Sequence, residues 1–282
     1  MKQPRELGGN DLVLSHFSLD RHHPIEDRVA AAAAAGFDSI GLYIGHYRQL
    51  LDEGFAPEQL RELLDEHNLT LSEIEVLRGW ATSAVDTDDY LAMEATAWAM
   101  ADEFGCRYVQ AIGPYDATIE DCGHAFGALC DRAGEHGLVV GLEFLPFTNI
   151  YDAADGMRVV EVADRANGGL CVDIWHHTRG TNDLEQIKAI PGDKVMGIQM
   201  NDGPNDQQLD DYVQDCLRTR VPPGLGTFDV PGFVGALIDS GANVPWSMEV
   251  CNDDVWGEPA TAHCTAIATA MRQTLQVARG DR

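Results

Sequence analysis

Eight short apolar runs, rich in β-branched, leucine and aromatic residues, punctuate the chain at residues 12–16, 39–43, 71–76, 108–111, 139–144, 169–173, 195–200 and 246–250. Between them lie stretches with helical periodicity, among them 25–35, 57–67, 88–104, 119–136 and 153–166. Apolar runs that alternate with helices read as parallel strands joined by crossover helices. Eight is the number at which such a sheet closes on itself. The pattern therefore predicts one α/β domain over residues 1–282, a (β/α)8 TIM barrel. Gly36, Gly105, Gly137 and Gly168 follow helical stretches, where a left-handed residue turns the chain toward the next strand. One connection breaks the rhythm. Residues 201–228, after the seventh strand, are polar and acidic and then read RTRVPPGLG. A loop that long in a compact domain is usually functional, and on the strand-end side of a barrel it is a candidate lid.

The last four runs share a further feature. Each is apolar up to one metal-competent side chain and then breaks: Glu143 in VVGLEF, Asp173 in GLCVDIWHH, Gln199 in VMGIQMND and Glu249 in PWSMEV. A single such residue reads as a polar strand end satisfying loop amides. Four at the same end of a parallel barrel converge on one mouth, and several ionised carboxylates in a shared cavity need a cation to neutralise them.

Composition narrows the setting. Hydrophobic residues make up 45% of the chain, yet no apolar run approaches the roughly 18–20 residues that span a bilayer. The first residues, MKQPRELGGNDL, lack the apolar core of a secretory signal, so a cytoplasmic location is expected. The seven cysteines include no C-x-x-C pair and read as reduced thiols. Cys251 stands apart because it lies two residues beyond Glu249. A net charge of −27 opposes binding to a phosphate backbone or an anionic membrane surface. The expected partner is a small molecule, and homo-oligomerisation stays open.

At the four strand ends the chain resembles the sugar phosphate isomerase/epimerase family, the xylose-isomerase-like barrels that include ketose 3-epimerases, inosose dehydratases and 3-dehydroshikimate dehydratases. The resemblance covers nearly the whole chain. It rests on an ordered set: Glu143, Asp173 with His176 three residues on, Gln199 with Asp202 three residues on, and Glu249. It implies that Glu143, Asp173, Gln199 and Glu249 bind one divalent cation and that His176 faces the substrate beside it. Many members carry His where this chain has Gln199, and some dehydratases carry Gln. An amide oxygen with three carboxylates favours Mn²⁺ or Mg²⁺, with Co²⁺, Fe²⁺ and Zn²⁺ as alternatives. PPGLG resembles the family's P-G-E-G turn, with Leu225 where Glu is common.

Such a site suits a hydroxy-carbonyl substrate whose carbonyl the ion polarises while a base removes the neighbouring C–H proton. Glu143 and Glu249 are the candidate proton-transfer pair. His176, which alone would read as a core histidine, joins them as a proton shuttle. Arg179, Arg218 and Arg220 could pair a substrate carboxylate or phosphate, or simply bridge to acids of this acidic chain. His16, His46, Arg78 and Gln110 fall at or just past strand ends, and Trp80, Phe147, Trp175 and Trp256 could wall the pocket.

The leading reading is a metal-dependent isomerase or epimerase of a sugar, keto-polyol or related compound, acting through an enediolate. The runner-up is a lyase that dehydrates a keto-cyclitol or a 3-dehydroshikimate-like acid by the same enolate chemistry. An abasic-site endonuclease is opposed by the charge. A barrel that binds a ligand without turnover is opposed by the three acids still in place.

Overall fold

The computed structural model describes residues 6–113, 115 and 117–280. Eight parallel strands close into a barrel in sequence order: β1 Leu12–Leu14, β2 Ser39–Tyr43, β3 Thr70–Arg78, β4 Tyr108–Ile112, β5 Val139–Glu143, β6 Gly168–Asp173, β7 Val195–Met200 and β8 Trp246–Met248. Around them run the helices α1 Ile25–Ala35, α2 Ile44–Asp52, α3 Pro57–Glu66, α4 Asp88–Phe104, α5 Ile119–Gly134, α6 Ala153–Ala163, α7 Ile174–Arg179, α8 Leu184–Lys188, α9 Tyr212–Arg218, α10 Val230–Ser240 and α11 Ala260–Gly280.

Local chemistry sets the boundaries. Thr87, Thr118 and Asp152 cap α4, α5 and α6 by accepting hydrogen bonds from backbone N–H groups of the first turn. Gly36 and Gly105 end α1 and α4 with positive φ, as the sequence predicts. Gly168 departs from that expectation. It begins β6, and the left-handed residue after α6 is Asp164 (φ 49°). Gly168 is small for another reason, because a Cβ there would press on Cys130 Sγ and the Phe126 ring.

Two other expectations change. Strand β1 stops at Leu14, and residues 16–18 form a short 3₁₀ turn, with Ser15 Oγ accepting from Phe17 N. Helix α2 follows β2 directly, so His46 sits on a helix. The connection after β7 is tied down at several points. It contains α9, an antiparallel bridge Asp202↔Val221, and a second bridge between Thr219 and Asn252 beyond β8. The Asp202 carboxylate accepts from the backbone N–H of Gly203, Gly224 and Phe228 at 2.7–3.0 Å, which fixes the PPGLG turn. Leu225 at its tip is 73% exposed. No helix among the described residues is long and apolar enough to cross a membrane.

Candidate active site

Barrel register brings the four polar strand ends together. Asp173 pairs with Gln199 across β6 and β7, Gln199 with Ser247 across β7 and β8, and Glu249 N donates to Met200 O. All four side chains are buried. Donor atoms of Glu143, Asp173 and His176 lie within 4.8 Å of one another. His176 Nε2 is 3.3 Å from Glu143 Oε1 and 3.7 Å from Asp173 Oδ2. On the other side of the ring, Nδ1 meets the Tyr212 hydroxyl of α9 at 2.8 Å. Gln110 on β4 donates through Nε2 to Glu143 Oε2 and to Gln199 Oε1, both at 3.1 Å. Asn201 Nδ2 and Trp175 N donate to Asp173 Oδ1 at 3.0 and 2.8 Å.

Arg220 supplies the positive charge. Its Nη1 reaches Asp173 Oδ2 at 2.9 Å and Glu249 Oε2 at 2.6 Å, while Nε donates to Cys216 O and Nη2 to Cys216 Sγ. The side chain is only 2% exposed. Its backbone is fixed between β7 and β8, since Arg220 N donates to Cys251 O and Asn252 Nδ2 donates to Arg220 O. Burial disfavours the charged guanidinium, but Asp173, Cys216 and Glu249 outweigh it and hold Arg220 well above its ordinary value. Burial lifts Glu249 to about 7, even though Arg220 pulls it down. Burial would also depress His176. Tyr212 and Glu143 more than offset this and raise it well above the usual histidine range. The Tyr212 phenol is itself pushed up to about 12 and stays neutral, so the Glu143 carboxylate is the charge that favours imidazolium.

The floor leads into a cavity of about 530 Å³ that opens past Phe17, Val76, Ile112, Leu145, Phe147 and Leu217. Gln110, Glu143, His176, Arg220 and Glu249 line it. Arg218 does not. It forms a half-exposed pair with Asp253 at 3.4 Å. Arg179 is also spent elsewhere, on Asp215 at 3.1 Å, on the Asn205 carbonyl and against the Trp175 ring. His16 and His46 face each other (ring centroids 5.1 Å) beside Tyr43, outside this cavity. Trp80 and Trp175 are core residues, Trp80 donating to Ile112 O. Trp256 is absent from the cavity lining, whereas Arg78 and Phe147 belong to it. Burial, followed by the Glu249 charge, pushes the Cys251 thiol well above its ordinary value and keeps it protonated.

Two further buried acids have no counterpart among the sequence candidates. Glu73 and Glu75, two residues apart on β3, point into the barrel and are 5% and 0% exposed. Glu73 Oε2 accepts from Ser247 Oγ at 2.6 Å, and Glu75 accepts from Ser15 Oγ and His16 N at 3.0 and 2.8 Å. The available signal was the i, i+2 spacing of SEIEV within an apolar strand, which also describes a solvent-facing edge.

The donor set suits a divalent ion. Separations of 3.3 and 3.7 Å are what two ligands roughly 2.1 Å from one ion span at angles of about 105–125°. Glu143, Asp173 and a deprotonated His176 offer three ligand atoms within 4.8 Å of one another, and Gln199 and Glu249 lie beside them on hydrogen bonds to Gln110 and Arg220. Glu143 and Asp173 belong both to the set predicted from sequence and to the compact trio with His176. Gln199 joins them through Gln110, and Glu249 through Arg220.

A profile of the xylose isomerase-like TIM barrel family matches residues 29–277. Among curated proteins, the chain is similar to a 3-dehydroshikimate dehydratase of Pseudomonas putida, with 26% identity over 247 residues that cover 83% of this chain and 37% of that protein. It is also similar to an inosose isomerase of Bacillus subtilis, with 28% identity over 154 residues that cover 53% of this chain and 52% of that protein. The matched part thus spans from about a third to half of the length of these enzymes. Among solved structures, the IOLI protein with a bound zinc atom superposes with a TM-score of 0.85 at 17% identity, covering 95% of this chain and 98% of that one. Because the profile spans nearly the whole barrel, the chain belongs to the xylose isomerase-like TIM barrel family.

Proposed function

We propose that this chain is a metal-dependent enzyme that removes the proton next to the carbonyl of a small hydroxy-carbonyl compound. Glu143, Asp173, Gln199 and Glu249 would hold the divalent cation, with Mn²⁺ or Mg²⁺ preferred for an oxygen-rich set. Bound there, the cation supplies Lewis-acid polarisation of a carbonyl oxygen. The observation that carries the reading is the buried cluster of Glu143, Asp173 and His176 at the floor of an open cavity.

The chain's own groups do the proton work. Glu143 and Glu249 are the candidate bases. One of them takes the C–H proton as the C–H electron pair moves toward the carbonyl, giving an enolate. His176 is positioned between Tyr212 and Glu143 to carry a proton. If it delivers that proton to a β-hydroxyl, the electrons return, the C–O bond breaks and water leaves. If the enolate carbon is reprotonated on its other face, or the neighbouring carbon is protonated, the outcome is epimerisation or isomerisation.

Two observations favour dehydration. The 3-dehydroshikimate dehydratase matches over 83% of the chain. Arg78 lines the cavity and carries no hydrogen bond or ion pair among the described residues, which would suit a substrate carboxylate. The inosose isomerase match, over 53% of the chain, supports the isomerase course. The net charge of −27 favours a small molecule over nucleic acid.

Elemental mass spectrometry of protein purified without chelator tests the premise. About one divalent ion per chain is expected, with clear loss in Glu249→Gln and Asp173→Asn. A His176→Gln variant that keeps the ion assigns His176 to the substrate, and one that loses it adds His176 to the ligands. Solvent deuterium uptake into ketoses, inososes and dehydroshikimate then separates the courses. Near-zero metal after incubation with Mn²⁺ would remove the reading and leave a ligand-binding barrel without turnover.

A further inference from the structure

Above its polar floor the cavity offers, among the described residues, one free charged donor, Arg78, and otherwise few unengaged hydrogen-bonding side chains. Thr148 Oγ1 already donates to Leu145 O, the Tyr115 hydroxyl donates to Glu143 O, and the Tyr212 hydroxyl is engaged by His176. All three hydroxyls are therefore already engaged within the protein. Apart from Arg78 and Gly113, the rest of the wall is apolar, with Phe17, Val76, Ile112, Leu145, Phe147 and Leu217 contributing most of it. Helix α9 contributes Tyr212, Val213, Cys216 and Leu217 to the lining, so one face of that helix covers one side of the cavity. Phe147, Val213 and Leu217 are 52%, 40% and 39% exposed, which gathers an open apolar patch at the mouth of a site whose floor is charged.

A polyol filling about 530 Å³ would find Arg78 for one of its outer groups but would press most of its outer hydroxyls against carbon, where they lose water and gain no partner. We infer that the substrate joins a compact hydroxy-carbonyl head, seated at the floor, to an apolar ring or branched alkyl group that occupies the upper cavity. This rests on the enolisation reading for the head, whereas the apolar body follows from the walls alone. A cavity of this size lined mostly by apolar side chains with a few convergent polar groups is the usual form of a small-molecule site.

The test compares two ketones with the same head, 3-hydroxybutan-2-one and 2-hydroxy-1-phenylpropan-1-one, in which phenyl replaces a methyl group. Calorimetry on the Mg²⁺-loaded protein gives their dissociation constants, and NMR in D₂O gives loss of the methine proton, corrected for each ketone's uncatalysed rate. The phenyl ketone should bind at least about tenfold more tightly, the gain expected from burying a ring-sized apolar group. That ratio should fall toward one in the double variant Phe147→Asn/Leu217→Asn, whose two sites are exposed enough to spare the core; its unfolding midpoint confirms the fold. Equal affinities in the wild type, a ratio untouched by the double variant, or no binding of the phenyl ketone would each overturn the inference. Absence of methine exchange with the affinity ratio intact would instead sink the enolisation reading and leave the apolar subsite standing.

Discussion

Two sets of acids lie inside this barrel, and they are kept there by different means. At the mouth, Glu143, Asp173 and Glu249 surround Arg220 and His176, so their charge is offset by neighbouring cations. Deeper, the hydrogen-bond donors to Glu73 and Glu75 on β3 are, among the described residues, hydroxyl and backbone N–H groups. Burial raises Glu73 to about 8, although the Ser247 bond pulls it down. Burial and the charges of Glu73 and Glu249 raise Glu75 well above the carboxylate range. In the proposed function, a divalent ion would take over part of the charge that Arg220 and His176 balance at the mouth. In the β3 set burial favours the neutral acid, and Glu75 ties down residues 15 and 16, and through them the turn that carries Phe17 to the cavity.

The largest effect should come from removing the mouth's cation. Arg220→Met keeps volume but strands Asp173 and Glu249, and breaking a buried ion pair typically costs about 3–5 kcal/mol. Urea unfolding in chelator should show a loss of that size, with part of it regained on adding Mn²⁺. A variant as stable as wild type in chelator would mean that the mouth acids are also held neutral, and the contrast between the two sets would collapse.

On the β3 side, Gly41 makes room for Glu75, because a Cβ there would overlap the carboxylate. Gly41→Ala should therefore destabilise by about 1–3 kcal/mol, the range for overpacking a filled core. Glu75→Ala in the same chain should cancel much of that loss. Additive costs in the double variant would show that Gly41 serves something other than the acid.

Acidity offers a gentler probe. A carboxyl group whose folded value lies above its unfolded one leaves stability intact at low pH and lowers it as pH rises through the interval. For Glu73 that interval runs from 4.5 to about 8, and for Glu249 from 4.5 to about 7. Chelated protein should thus lose on the order of 1 kcal/mol per pH unit for each of these groups across its window, about 2 °C in Tm per group. A divalent ion should remove the part due to Glu249 and leave the β3 part, which Glu73→Gln/Glu75→Gln should flatten. A Tm that climbs from pH 5 to 8 in chelator would show that the β3 acids are ionised.

The same contrast explains what was legible in the chain. The barrel could be read because eight apolar runs and the helices between them carry the periodicity of their own burial. Glu143, Asp173, Gln199 and Glu249 could be read because each ends an apolar run, where a polar residue stands out. Glu73 and Glu75 could not, since alternation inside a strand looks the same whether the polar face meets water or a barrel interior. Gln110 was found by position, but its bridge between Glu143 and Gln199 depends on the register of β4 against β5, which no single strand encodes. The role of Arg220 depends on two bridges, at 202–221 and 219–252, that join residues far apart in sequence.

The smallest expected effect tests that last point on neighbouring residues of one type. Arg218 and Arg220 are two apart in RTR, and sequence gave no reason to treat them differently. Arg218 is the last residue of α9 and leaves its guanidinium in solvent beside Asp253, where an exposed pair contributes about 0–1 kcal/mol. Arg220 lies past the helix end, where pairing with residues 251 and 252 turns its side chain to the floor of the barrel. Arg218→Ala should shift the unfolding midpoint by less than about 1 kcal/mol and leave metal content unchanged. If it lowered metal content as Arg220→Met lowers stability, the charge of the whole segment, and not the single buried guanidinium, would be what balances the mouth.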